Sequence, residues 1–362
     1  MRFAHDHAPD PPPRSFWILA GALFLLLAVP VAFVNLAVDP FDFRLAPHLP
    51  IVRDKLMKTN DSMLWSASEF RRIPQAVRDR VTISFVGDSR TEGICRWPSA
   101  PRVFRFGPDV IFNLAVSGAS FEESIRLLEL ELPRLPHLRG VVLALPLERI
   151  GVSGINRTTN ALRLADTPLL YVLGLGTLAS SFELVMQKDL SPGERWAKGE
   201  IPDLDPAHLP DESAVGLDVA GNIAKAKAAQ STPLSPAEQK NAAMWRRILL
   251  GVRSALVERR IRDVVAPLVQ RLRARGIAVV FLIPPLHPEV RRALGPAQLA
   301  NHERLVAELA ALGPVEDFSR GDRGGLVPKF TDALHVQPDT AHAILGGIYM
   351  RNFGRSAPVT VR

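Results

Sequence analysis

The chain holds one cysteine, Cys95, in 362 residues, which excludes an intramolecular disulfide framework and any multi-cysteine metal site. Aromatic residues make up only 7% of it. Zinc-finger spacing and an RNA-binding aromatic signature are both missing, so nucleic acid is set aside as a partner. A phosphate-binding Gly-rich loop is missing too, as is any metal-ligand spacing, so neither metal nor cofactor is expected. No internal repeat is visible.

What is present suits burial: 47% of residues are hydrophobic, in a length that accommodates one large α/β domain or two small ones. The formal charge of +7 is unevenly spread, since residues 241–300 carry eleven Arg against Glu258, Asp263 and Glu289. That surplus suits lipid headgroups or an acidic glycan, and it also reads as an ordinary solvated helix face.

Phe16 to Val38 form a nearly unbroken apolar run of 23 residues, enough to cross a bilayer core of roughly 30 Å as a helix. It exceeds the apolar segment of a cleaved signal peptide, and Pro30 is tolerated in a membrane helix. We read it as a transmembrane anchor (16–38) after a short tail (1–15). Arg2 and Arg14 precede the span while Arg44, Arg53, Lys55 and Lys58 follow it, so charge alone does not orient it.

Residues 39–80 read as a linker to a folded domain at 81–355. Within it, Val81–Val86, Val110–Leu114, Val141–Leu145, Ile277–Ile283 and Val315–Phe318 are short apolar runs of strand character. Between them lie helical patterns, the clearest being Val257, Ile261, Val264, Val265, Leu268 and Leu272, ended by Arg275-Gly276. Strands alternating with helices predict a three-layer α/β fold, a parallel sheet with helices on both faces, whose ligands bind at the carboxyl ends of the strands. Residues 151–245 interrupt the alternation and read as an insertion, either a lid over the site or a surface excursion.

Chemistry is suggested first by Phe85-Val86-Gly87-Asp88-Ser89-Arg90, which sets a serine just past a strand end. A serine hydroxyl needs a neighbouring base to become a nucleophile. The candidate is Phe330-Thr-Asp-Ala-Leu-His-Val336, where Asp332 and His335 stand three apart, so that both share one face of a helical turn or tight loop. Ser89 would then attack an ester carbonyl, His335 would act as base and then acid, and Asp332 would orient the imidazole.

Gly87-Asp88-Ser89 and Asp332-x-x-His335 resemble the first and last blocks of the SGNH (GDSL-like) hydrolase superfamily, and the resemblance runs from about residue 81 to 350. It implies that Asn113-Leu-Ala-Val-Ser-Gly118 is the second block, with the Gly118 N–H joining that of Ser89 in an oxyanion hole. The third block, usually Gly-x-Asn-Asp, is replaced by Pro146-Leu-Glu148-Arg149, and Asn156 is the nearest substitute donor. With its N-terminal span the chain is similar to bacterial envelope members, some of which move or remove O-acetyl groups on polysaccharides.

The resemblance therefore implies a serine esterase or O-acyltransferase acting on acylated carbohydrate, placed periplasmically or extracellularly. A lipid esterase, or an inactive scaffold that binds glycan or a biosynthetic partner, are the alternatives. Four further features read more simply as structural: His287 as a loop histidine, Arg90 as a partner of Asp88 or Glu92, Ser120 as the N-cap before Glu122 and Glu123, and Cys95 as a small buried side chain.

Overall fold

A computed structural model describes residues 13–40, 66, 69–95, 102–146, 157–186, 204–211, 236, 239–240, 243, 254–292, 294–320, 328–331 and 334–354. In chain order its elements begin with α1 (Arg14–Val38), α2 (Gln75–Arg78), β1 (Ile83–Val86), α3 (Ser89–Cys95), β2 (Val103–Phe106), β3 (Asp109–Asn113), α4 (Phe121–Glu131) and β4 (Gly140–Ala144). They continue with α5 (Arg157–Ala165), α6 (Pro168–Leu173), α7 (Leu175–Met186), α8 (Ser254–Arg260), α9 (Ala266–Ala274), β5 (Ala278–Ile283), α10 (Pro288–Arg292), α11 (Pro296–Leu312), β6 (Val315–Asp317) and α12 (Pro338–Asn352). The chain divides into two compact units, one of residues 1–59 and 163–190, the other of 60–162 and 191–362.

The second unit is built on a six-stranded sheet of order β2-β3-β1-β4-β5-β6. The five apolar runs each become a strand, and these five pair in parallel. The sheet is thus mostly but not wholly parallel: β2, which the sequence pattern does not announce, pairs antiparallel with β3 as a hairpin edge. Gly107, at φ +58, opens the two-residue turn between them. The backbone N–H of Arg105, on this edge strand, donates to Pro210 O at 2.7 Å.

Alternation along the strands assigns each face its own core. Val86, Phe112, Val141, Leu143, Val279 and Phe281 pack with α4, α8, α9 and α11. Ile83, Phe85, Ile111, Val142, Val280 and Leu282 pack with α3 and α12. Each fully buried side chain of this kind contributes about 1.5–3 kcal/mol. Phe70, Ile73 and Val77, inside the stretch read as linker, are buried in the first of these cores.

The arginine-rich helical pattern forms α8 and α9, joined through a π turn at Ile261–Val265. Pro267 gives a reason for that turn. Its ring has no N–H to donate and would crowd the carbonyl four residues back, Asp263, which the wider turn moves aside. Gly276, at φ +75, ends the helix.

In the first unit, α1 is 25 residues long and apolar enough to cross a membrane. Its first half is exposed, with Phe16 to Leu27 largely uncovered, whereas Asn35 and Val38 are buried. α6 and α7, from the stretch read as an insertion, pack against that second half.

Candidate active site

Ser89 is placed by the strand before it and by a glycine that admits no side chain. β1 is the strand from which the chain turns first towards β3 and β2 and later towards β4, so its carboxyl end is the switch point of the sheet, where open α/β folds form their crevice. Ser89 is the first residue of α3. A Cβ on Gly87 would lie 2.3 Å from Thr91 Oγ1 and 2.8 Å from Ala144 Cβ, so only glycine lets α3 start this close to β4. Asp88 is buried: its Oδ1 accepts from the Arg90 N–H at 3.1 Å, and its carboxylate pairs with the Arg90 guanidinium at 2.9 Å.

The partner arrives on a tight loop. Phe330 and Val336 form an antiparallel bridge, and Thr331 N–H donates to His335 O at 2.7 Å. This turns the His335 side chain to Ser89, and the Nε2···Oγ separation is 2.8 Å across 246 residues of chain. Both side chains are half-buried, dry enough to strengthen the bond and open enough to admit a reactant. Asp332 and Asn156 lie outside the described residues, as do residues 147–149 of the third block.

Gly118 comes to the same end of the sheet. Past β3 the chain keeps to β1's edge, with Leu114 N–H donating to Phe85 O at 2.8 Å and Val116 N–H to Gly87 O at 3.1 Å. Gly118 then follows in a turn at φ +79, exposed, a conformation that favours glycine. Asn113 is buried and structural: its Nδ2 donates to Glu92 O at 3.2 Å and its Oδ1 accepts from Ala115 N at 3.1 Å, tying the second block to α3.

Arg102 is the supporting residue that sequence reasoning missed. Its buried guanidinium donates to Glu69 at 2.5 Å, Ser66 Oγ at 2.8 Å, Glu92 at 3.0 Å, Asn113 O at 3.2 Å and Ala115 O at 2.6 Å. These partners are scattered over fifty positions of sequence, and no local pattern signals them.

The four residues read as structural are accounted for. Ser120 Oγ accepts from Glu123 N–H at 3.1 Å as the N-cap of α4. Glu123 does more, since its buried Oε1 accepts from Thr158 N–H at 2.9 Å at the start of α5, and burial pushes its carboxyl pKa up. Glu122 pairs with Arg260 at 2.7 Å. His287 is buried, accepts from Glu289 N–H at 3.2 Å and meets Phe330 edge-on at 5.0 Å, beneath the loop that presents His335. Cys95 is buried, and burial pushes its thiol pKa well up, which makes it a poor nucleophile.

A second serine–histidine pair stands at the end of β6. Ser319 Oγ lies 2.9 Å from His302 Nε2, and it donates to Asp317 Oδ1 at 2.6 Å. Asp317 Oδ2 lies 3.3 Å from the same His302 nitrogen and accepts from Arg320 at 3.1 Å. Among the described residues no group of three or more His, Cys, Asp or Glu is arranged to hold a metal ion. No family model matches the chain, and no curated protein matches it in sequence.

Proposed function

We propose that the chain is a membrane-anchored serine esterase or O-acyltransferase of the SGNH class, acting on acylated carbohydrate through an acyl-Ser89 intermediate. The observation that carries this reading is the 2.8 Å contact between Ser89 Oγ and His335 Nε2 at the sheet's switch point. Direct proton transfer needs such a separation.

As the Ser89 oxygen bonds to the acyl carbon, His335 Nε2 takes the hydroxyl proton. The carbonyl oxygen becomes an oxyanion facing the backbone N–H groups of Ser89 and Gly118. Collapse breaks the ester C–O bond, and His335 returns the proton to the departing sugar hydroxyl. Water or a second hydroxyl then attacks the acyl-serine with His335 again as base, which gives hydrolysis or transfer. Asp332 orients the imidazole in this scheme, and Asn156 serves as a third oxyanion donor. The carbohydrate assignment and a periplasmic or extracellular position for the domain rest on the resemblance of the Gly87-Asp88-Ser89 and Asn113-to-Gly118 blocks to envelope members, with α1 as a single-pass anchor.

A lipid ester is the second reading. It is favoured by a cavity of about 440 Å³ just past β5, walled by Leu286, Leu294 and Leu299 and ringed by Arg291, Arg292 and Arg320, apolar and cationic as an anionic amphiphile requires.

Acetate release from O-acetylated polysaccharide and fatty-acid release from phospholipid, both by the purified full-length chain, test the two readings. Ser89→Ala and His335→Ala are each expected to lower turnover by about 10³ or more, and the double variant to lower it little further, because residues of one catalytic unit are non-additive. Full turnover in Ser89→Ala would refute the acyl-Ser89 mechanism, and no turnover of either ester by the folded parent would refute the enzyme reading. Turnover confined to phospholipid would transfer the site to the lipid reading.

A further inference from the structure

We infer that residues 168–186 form a helical hairpin that enters the lipid phase beside α1, so that the chain meets the bilayer at two separate places in its sequence. The inference rests on α1 being the membrane anchor.

The hairpin is joined to α1 by a buried polar knot. Asn35, fully buried, donates from Nδ2 to Val172 O at 2.9 Å and to Gly174 O at 3.1 Å, and its Oδ1 accepts from Ser181 Oγ at 3.3 Å. Val172 O lies in the last turn of α6, where the helical ladder leaves acceptors unserved, and Gly174 O, at the break before α7, also accepts from Leu178 N–H at 3.0 Å. In hydrocarbon a broken helix is tolerated only where such groups are satisfied inside the protein. The Asn35 side chain satisfies Val172 O and gives Gly174 O a second donor. Tyr171 closes the knot by donating its hydroxyl to Asp39 Oδ1 at 2.5 Å, just past the end of α1. Gly174 permits the tight break, since a Cβ there would lie 2.6 Å from Leu170 O.

The outer side is the reverse. Leu169, Leu170, Leu175, Phe182 and Met186 are between 57% and 80% exposed, and Glu183 is the one charged residue in 168–186. A cluster of large apolar side chains turned outward marks a surface made to be covered. The lipid chains around α1 are the occupant, because this face continues the exposed apolar surface of Phe16 to Leu27 on the helix it packs against. Neither arm crosses the membrane. α7 has 12 residues, about 18 Å of helix against a core of roughly 30 Å, and α6 is shorter. The pair enters and leaves on one side.

The test uses the full-length chain in phosphatidylcholine vesicles with brominated acyl chains. Single cysteines carrying a polarity-sensitive fluorophore replace Leu25, Leu170, Phe182 or Lys240 in a Cys95→Ala background. The three outward apolar positions are more than half exposed, so labels there leave the packing intact. Quenching at Leu25, Leu170 and Phe182 with none at Lys240 is the expected result. If Leu25 is quenched while Leu170 and Phe182 are not, the hairpin lies in water or against another protein, and the inference fails while the anchor stands. If Leu25 is unquenched, the anchor reading fails and takes the hairpin with it.

Discussion

The two serine–histidine pairs of the second unit have nearly the same separation, 2.8 Å for Ser89 with His335 and 2.9 Å for Ser319 with His302. In the second pair a carboxylate bridges the two members. Asp317 accepts the Ser319 hydroxyl proton on Oδ1 and presents Oδ2 to His302 Nε2, so it touches both members at once. His302 Nε2 therefore faces a carboxylate and a hydroxyl whose own proton is already committed, and the network assigns a proton to that nitrogen. A protonated nitrogen cannot act as base. Burial raises the Asp317 pKa, but bonds from His302 and Ser319 outweigh that and hold it at about 2, so the carboxylate keeps its charge. The Ser319 N–H donates to the same Oδ1 at 3.0 Å, completing a turn that caps β6. Proximity of hydroxyl and imidazole is not enough; the imidazole nitrogen that faces the hydroxyl must be able to take its proton.

The largest effect expected from this contrast is in turnover. Ser89→Ala is expected to lower ester cleavage by the factor given above, whereas Ser319→Ala should leave turnover near that of the parent and lower stability by about 1 kcal/mol for its lost hydrogen bonds. Equal loss of turnover in both variants, measured at matched folded fraction, would break the distinction.

A smaller effect sharpens it. Gly87→Ala forces Thr91 or Ala144 to move, and overpacking of this kind costs about 1–3 kcal/mol. Its denaturation midpoint should fall and its turnover with it, because Ser89 starts the displaced helix. A midpoint unchanged from the parent would show that α3 does not need the glycine.

The smallest effect lies in acid stability. Asp317 has a folded pKa of about 2 against roughly 3.9 in an unfolded chain. Its lowered value contributes stability that is present above about pH 4 and lost as pH falls towards 2. Asp317→Asn should remove that part of the acid slope in melting temperature. His342 acts in a higher window: burial lowers its pKa to about 4 despite the opposing charge of Asp339. The stability from keeping it neutral is therefore lost as pH falls from roughly 6.5 to 4. His342→Gln should flatten that window and leave the lower one unchanged.

Much of the fold was legible because buried parallel strands are written as short apolar runs, and β1, β3, β4, β5 and β6 were all visible on that ground. β2 was not. Its Val-Phe-Arg-Phe is four residues long, too short for alternation to stand out, and only the Gly107 turn and β3 beside it make it a strand. Ser89 and His335 were legible as separate motifs, and the fold joins them across 246 residues. Arg102 was illegible because its partners come from three separate stretches of chain, at 66–69, 92 and 113–115. The Ser319 cluster was equally hidden, since His302 lies on a helix fifteen residues from Asp317 and matches no motif. Residues 168–186 read as part of an insertion because an apolar helix of 12 residues is ambiguous by itself, and Asn35 gave no sign of its role until its partners were in place.

The most direct measurement is covalent labelling of the full-length chain with a fluorophosphonate, followed by peptide mapping. A serine whose proton a neighbouring imidazole can take reacts, and one whose proton is held by a carboxylate does not. The account predicts a single adduct on Ser89 that disappears in Ser89→Ala and in His335→Ala and persists in Ser319→Ala. An adduct on Ser319, or no adduct on a folded chain, would contradict it.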